Sequence, residues 1–140
     1  MKPDRVLGAL LILGALITAA YWVNYYLAGD VRTLDTDWYI AFEGAFPVAD
    51  AWMGTCMLLA GIGLWRGTRS GALFGLMAGS ALMYLAAMDI TFDVEHGLYG
   101  LLPHSGPMVT EALINATSLA LGIVTLAMCW PRAASRSLFG

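Results

Sequence analysis

The sequence predicts an all-α integral membrane protein: a four-helix bundle with a short amphipathic interfacial helix in its first outer loop and both termini in the cytoplasm. Three observations predict it. Of the 140 residues, 59% are hydrophobic and 12% charged, and the mean hydropathy is +0.71; a soluble domain of this size carries about 25% charged residues. Four apolar segments, about residues 6–28, 47–65, 71–92 and 108–130, each reach the roughly 20 residues that a spanning helix needs. The basic residues segregate: Lys2, Arg5, Arg66, Arg69, Arg132 and Arg136 fall on one side of such a bundle, and Arg32 stands alone on the other. By the positive-inside rule the crowded side is cytoplasmic. The expectation is one transmembrane domain over 1–140, multi-pass in the cytoplasmic (inner) membrane of a prokaryote.

The first segment follows Lys2 and Arg5 as a signal peptide would, but its apolar run is too long for one. It ends in the aromatic cluster "YWVNYY" rather than at a small-residue cleavage site, so it is expected to be a retained helix. The outer loop "LDTDWYIAFEGAFP" offers Asp35 or Thr36 as an N-cap. Trp38, Ile40, Ala41, Phe42, Ala45 and Phe46 follow, which predicts a short helix in the interface, stopped by Pro47. Pro47 then opens the second span, where its missing N–H costs nothing. The tight turn "RGTRSG" joins the second and third spans. "DVEHGLYGLLPHSGP", rich in Gly and Pro, predicts an irregular second outer loop. Trp22, Tyr25, Tyr26, Trp38, Tyr39 and Tyr99 mark the outer interface, and Trp65 and Trp130 the inner one. Cys56 and Cys129 fall at different depths of different spans, which argues for buried thiols rather than a disulfide.

In a bilayer the small and polar residues identify the packed side of a helix. On the third span Gly71, Gly75, Gly79, Leu82, Ala86, Asp89 and Asp93 fall within a stripe roughly 80° wide. Glu111, Asn115, Ser118, Gly122, Thr125 and Cys129 form a similar stripe on the fourth. The second span puts Asp50, Gly54, Met57 and Gly61 on one face, and the first groups Asn24 with Tyr21, Ala20 and Ile17. Asp50, Asp89 and Glu111 come out at similar depth, about one helical turn below the outer boundary. A helix macrodipole accounts for Asp50 and Glu111 at N-terminal ends but opposes Asp89 at a C-terminal end. Acids that converge without a basic partner cannot all stay ionised cheaply; one is protonated, shares a proton or binds a cation. Arg32 is the one candidate counter-ion on that side.

These residues predict an outward-facing acidic intramembrane pocket that binds a small ligand, either a cation or an amphipathic, lipid-like molecule. Asp50, Asp89 and Glu111 form its polar core, with Glu43, Asn115 and Asn24 around them. Two or three carboxyls around one apolar ligand would also serve proton transfer on a lipid-soluble substrate, which keeps a membrane enzyme as an alternative. A third reading is an accessory subunit whose glycine-rich faces pack on another membrane protein or on a second copy of the chain. Asp93, Glu95, His96 and His104 offer carboxylate and imidazole ligands for a metal ion without a recognised spacing, and otherwise read as a solvated loop. The net charge of -3 and the lack of a basic patch argue against a nucleic-acid partner. No Walker loop, dinucleotide fingerprint, CxxC pair or nucleophile elbow names a cofactor, and the sequon "NAT" at Asn115 lies within a span.

"AFEGAFPVADAW" and "GLMAGSALMYLAAMD" resemble segments of uncharacterised bacterial four-helix inner-membrane proteins, a likeness that implies a fold and no activity. The layout of cytoplasmic termini, structured first outer loop, four helices and intramembrane acids is architecturally similar to the EXPERA family, which includes the sterol isomerases and the sigma-2 receptor. That resemblance implies, for the enzyme alternative, paired carboxylates acting on a lipid-soluble substrate. It assigns no residue a role.

Overall fold

The computed structural model describes residues 2–102 and 104–134. The described residues form α1 (Pro3–Leu27), a short α2 (Asp37–Glu43), α3 (Pro47–Arg66), α4 (Arg69–Glu95), a 3-10 turn at Leu98–Leu101 and α5 (Gly106–Ala134). Strands are absent among them. The four long helices are each long and apolar enough to cross a membrane. Pro3 and Pro47 open α1 and α3, where a helix has no use for their absent N–H. Gly67, left-handed at φ 68°, closes α3, and Thr68 caps α4 by accepting the Gly71 N–H.

The helices run up and down in the order α1, α3, α4, α5, each packed on the next. Glycine sets every one of these crossings. A Cβ on Gly61 would stand 2.7 Å from the Gly8 carbonyl oxygen of α1. One on Gly63 would stand 2.4 Å from Gly71 Cα across the α3–α4 turn. Between α4 and α5, a Cβ on Gly122 would lie 2.9 Å from the Gly79 carbonyl oxygen, and one on Gly75 would meet Cys129 Sγ. The glycine stripe of α4 is thus a contact face shared between two neighbours, Gly71 toward α3 and Gly75 and Gly79 toward α5. Backbone approach of this kind is the packing that lipid surroundings reward. Cys56 and Cys129 are both free and buried.

Lys2, Arg5, Arg66, Arg69 and Arg132 gather at the end of the bundle where α1 begins and α5 ends; Arg136 lies outside the described residues. There the Trp65 indole donates to the Arg5 carbonyl oxygen, and Arg132 pairs with Asp4 to tie α5 to α1. Away from this pair, α1 and α5 share far less backbone contact than the other neighbouring helices.

Three boundaries differ from expectation. α4 runs on to Glu95, so Asp93 sits within the helix, one turn beyond Asp89, and is fully buried rather than part of a solvated loop. α5 passes through Pro131 to Ala134. α2 ends at Glu43 with Gly44 as its C-cap, before Pro47 is reached. Its orientation carries the largest consequence: Trp38 and Ile40 face outward, while Tyr39 and Glu43 turn into the bundle and are buried. The short helix is a lid on the end of the bundle opposite the start of α1.

A candidate acidic site beneath the α2 lid

Under α2 lies a cavity walled by α1, α3, α4 and α5. Each helix delivers polar groups because its packed stripe continues to this end. From α1 come Tyr21 and Trp22, from α2 Glu43, from α3 Asp50, from α4 Asp89, and from α5 Glu111 and Asn115. Four carboxyl side chains therefore face one space. No Lys, Arg or His is among the residues lining it.

The carboxyls differ in how they are held. Glu111, 7% exposed, is the most fully bonded: its Oε2 accepts from the Tyr39 hydroxyl at 3.0 Å and from the Thr33 hydroxyl. Asp50 Oδ2 accepts the Trp22 indole N–H at 2.8 Å. Glu43 Oε2 takes the Tyr21 hydroxyl at a longer 3.4 Å. Asp89, only partly buried as a residue, has an Oδ1 that is enclosed by protein without a hydrogen-bond partner. Behind Glu111, Asp93 Oδ2 accepts from the Asn115 side-chain amide at 3.4 Å, and its Oδ1 is likewise enclosed without a partner. Tyr99, in the 3-10 turn, has its hydroxyl pushed above the ordinary range, first by burial and then by the nearby Asp93 carboxyl.

Aromatic stacking fixes the lid over this space. Phe42 of α2 lies parallel to Phe92 of α4, with ring centroids 3.6 Å apart, and packs edge-on against Phe46. Trp38 stacks on His96 at the end of α4. The cavity offers about 80 Å³ in which the centre of a water molecule fits. One water needs roughly 10–15 Å³ by that measure, so there is room for several waters or one small chemical group.

The structure brings together Glu43, Asp50, Asp89, Glu111 and Asn115. It does not bring Asn24 to the cavity: that side chain sits nearer the end of α1, its Oδ1 enclosed without a partner, and Tyr21 one turn earlier lines the wall instead. Arg32 is not a counter-ion to these acids. Its guanidinium donates to the Tyr25 carbonyl oxygen, lies 4.7 Å from the Tyr25 ring centre and pairs loosely with Asp35. The metal candidates are scattered, with Asp93 buried and Glu95, His96 and His104 exposed. Among the described residues no three His, Cys, Asp or Glu side chains gather as a metal site.

Sequence reasoning missed Thr33, Tyr39 and Asp93 as parts of this arrangement. The period of α4 did place Asp93 on the packed stripe, and that signal outweighs its nearness to Gly and His. Tyr39 and Glu43 are four apart and share a helical face, which marks an inward polar face on α2. Thr33 comes from irregular chain, and no periodicity points to it. No family model, curated protein or solved structure matches this chain.

Proposed function

We propose that this chain is a multi-pass protein of a prokaryotic cytoplasmic membrane, with cytoplasmic termini, whose acidic cavity binds the positively charged or hydrogen-donating part of a small ligand. One observation carries the reading. Four carboxyl side chains from four helices converge on a cavity without a basic residue, and Asp89 Oδ1 is enclosed there with no partner. Burying a carboxyl without a partner costs free energy, and more so within a membrane. A ligand that brings an ammonium group or a strong donor offsets that cost on binding. The gathering of Lys2, Arg5, Arg66, Arg69 and Arg132 at the opposite end supports the cytoplasmic placement of the termini.

Asp89→Asn tests this. The amide keeps the shape of the carboxyl and removes its charge, so the ligand-free chain should melt at least as high as the unaltered one. Thermal unfolding of the purified full chain is measured against a panel of organic amines and inorganic cations. A ligand that binds the folded state raises the melting temperature with concentration. The expected result is a rise for at least one amine that Asp89→Asn removes. Equal melting behaviour of both chains with every compound would overturn the proposal.

A further inference from the structure

We infer that the ligand is a membrane amphiphile with a cationic head, and that it reaches the acidic cavity sideways, through the seam between α1 and α5. The inference rests on the acidic cavity being a ligand site and adds the ligand's class and route. It begins with room. The cavity holds only a small group, yet an apolar groove of about 490 Å³, by the same measure, lies directly against it along the α1–α5 seam. Leu10, Leu13, Leu121 and Val124 line the groove's far part, while Ile17, Thr18, Leu82, Ile114 and Ser118 line both spaces. The two spaces therefore adjoin across these shared side chains, with a polar head end on one side and an apolar tail end on the other.

The seam exists because α1 packs on α3 and α5 on α4, leaving α1 and α5 without a shared glycine crossing. Hydroxyls on its walls do not make it polar. Thr18 donates to its own helix at Gly14, and Thr117 donates to Leu113 and Ile114 of α5. The groove thus offers a hydrocarbon chain apolar contact along most of its length, with the Ser118 hydroxyl at the cavity end. Entry past α2 is blocked by the Phe42–Phe92 stack, by fully buried Tyr39 and by its bond to Glu111. Charge selects the head: a carboxylate or phosphate would face four acids with no base, whereas an ammonium is drawn to the carboxyl side chains that line the cavity. An alkylamine dissolved in the lipid phase satisfies both ends at once.

Dodecylamine, butylamine and dodecanol are compared on the purified full chain by thermal unfolding, together with Ser118→Phe, whose ring adds bulk at a residue that lines both groove and cavity. Dodecylamine should raise the melting temperature, dodecanol and butylamine much less, and Ser118→Phe should weaken dodecylamine at least about tenfold through lost tail contact. On the unaltered chain, dodecylamine carrying a diazirine near its tail end should cross-link to α1 and α5 residues of the seam, which tests the route even where Ser118→Phe fails to fold. If butylamine and dodecylamine act alike and the tail label falls elsewhere, the seam inference is overturned while the acidic cavity stands as a ligand site. If no amine acts at all, both fall. A tail label on a second copy of the chain would assign the seam to a dimer contact and also overturn the inference.

Discussion

Tyr39→Phe isolates the bond that pins the lid to the bundle. The substitution keeps the ring, so the packing of this fully buried side chain survives and no cavity opens. What is lost is one hydroxyl donor, at 3.0 Å, to Glu111 Oε2. That oxygen also accepts from Thr33. The single loss therefore leaves the carboxyl bonded and should cost about 1 kcal/mol, the ordinary net value of one hydrogen bond. Thr33→Val, similar in shape, should cost a similar amount for the same reason. Removing both strands a buried acceptor, and the pair should cost roughly 3 kcal/mol or more, beyond the sum of the singles. The assay is reversible unfolding of the four chains in mixed detergent micelles, read as a double-mutant cycle. A double variant no less stable than the weaker single would refute a shared acceptor and with it the pinned lid.

The glycine crossings predict opposite signs at two positions. Gly122→Val should destabilise by about 1–3 kcal/mol, because its side chain would overpack the Gly79 carbonyl and Met83; Gly54→Ala, with nothing within 4 Å of the added carbon, should gain about 0.5–1 kcal/mol from helix propensity alone. Unfolding measurements on both chains check this, and equal effects would sink the assignment of the α4–α5 contact. The direction of insertion is tested with an impermeant thiol reagent on intact cells, against a background in which Cys56 and Cys129 are buried. Exposed Glu95→Cys should label at once and exposed Ser70→Cys only after the membrane is opened; the reverse pattern would invert the topology.

The four long helices were legible in the sequence because length and hydropathy suffice to mark them, and the stripes of α4 and α5 were legible because small and polar residues recur at helical spacing. Gly75, Gly79 and Gly122 show this directly: the spacing named the face and the structure places a neighbour against it. Asp50, Asp89, Glu111 and Asn115 were legible by the same period. The failures have a shared physical cause. Asn24 and Tyr21 lie on similar faces of α1, and which of them meets the cavity depends on where the lid comes down, a tertiary fact. Asp93 was hidden because the residues after it form a turn, while its own helix runs on past it. Arg32, judged by charge alone, looked available for the acids; a backbone carbonyl and an aromatic ring had the shorter reach.

The pairing of Asp4 with Arg132 joins two residues that stand almost at opposite ends of the chain. Each of the other three joints lies between helices that follow one another in the row and has glycine backbones in contact; the joint between α1 and α5 has neither. Two part-exposed charges thus help to close the row of four helices into a ring, beside the Leu121 side chain that reaches toward Gly14. Such a clasp is sensitive to salt in a way the glycine joints are not. Releasing it would loosen the joint between α1 and α5 while leaving α1 packed on α3. The far end of the seam between the first and last helices is therefore held by an electrostatic contact that ionic strength can loosen.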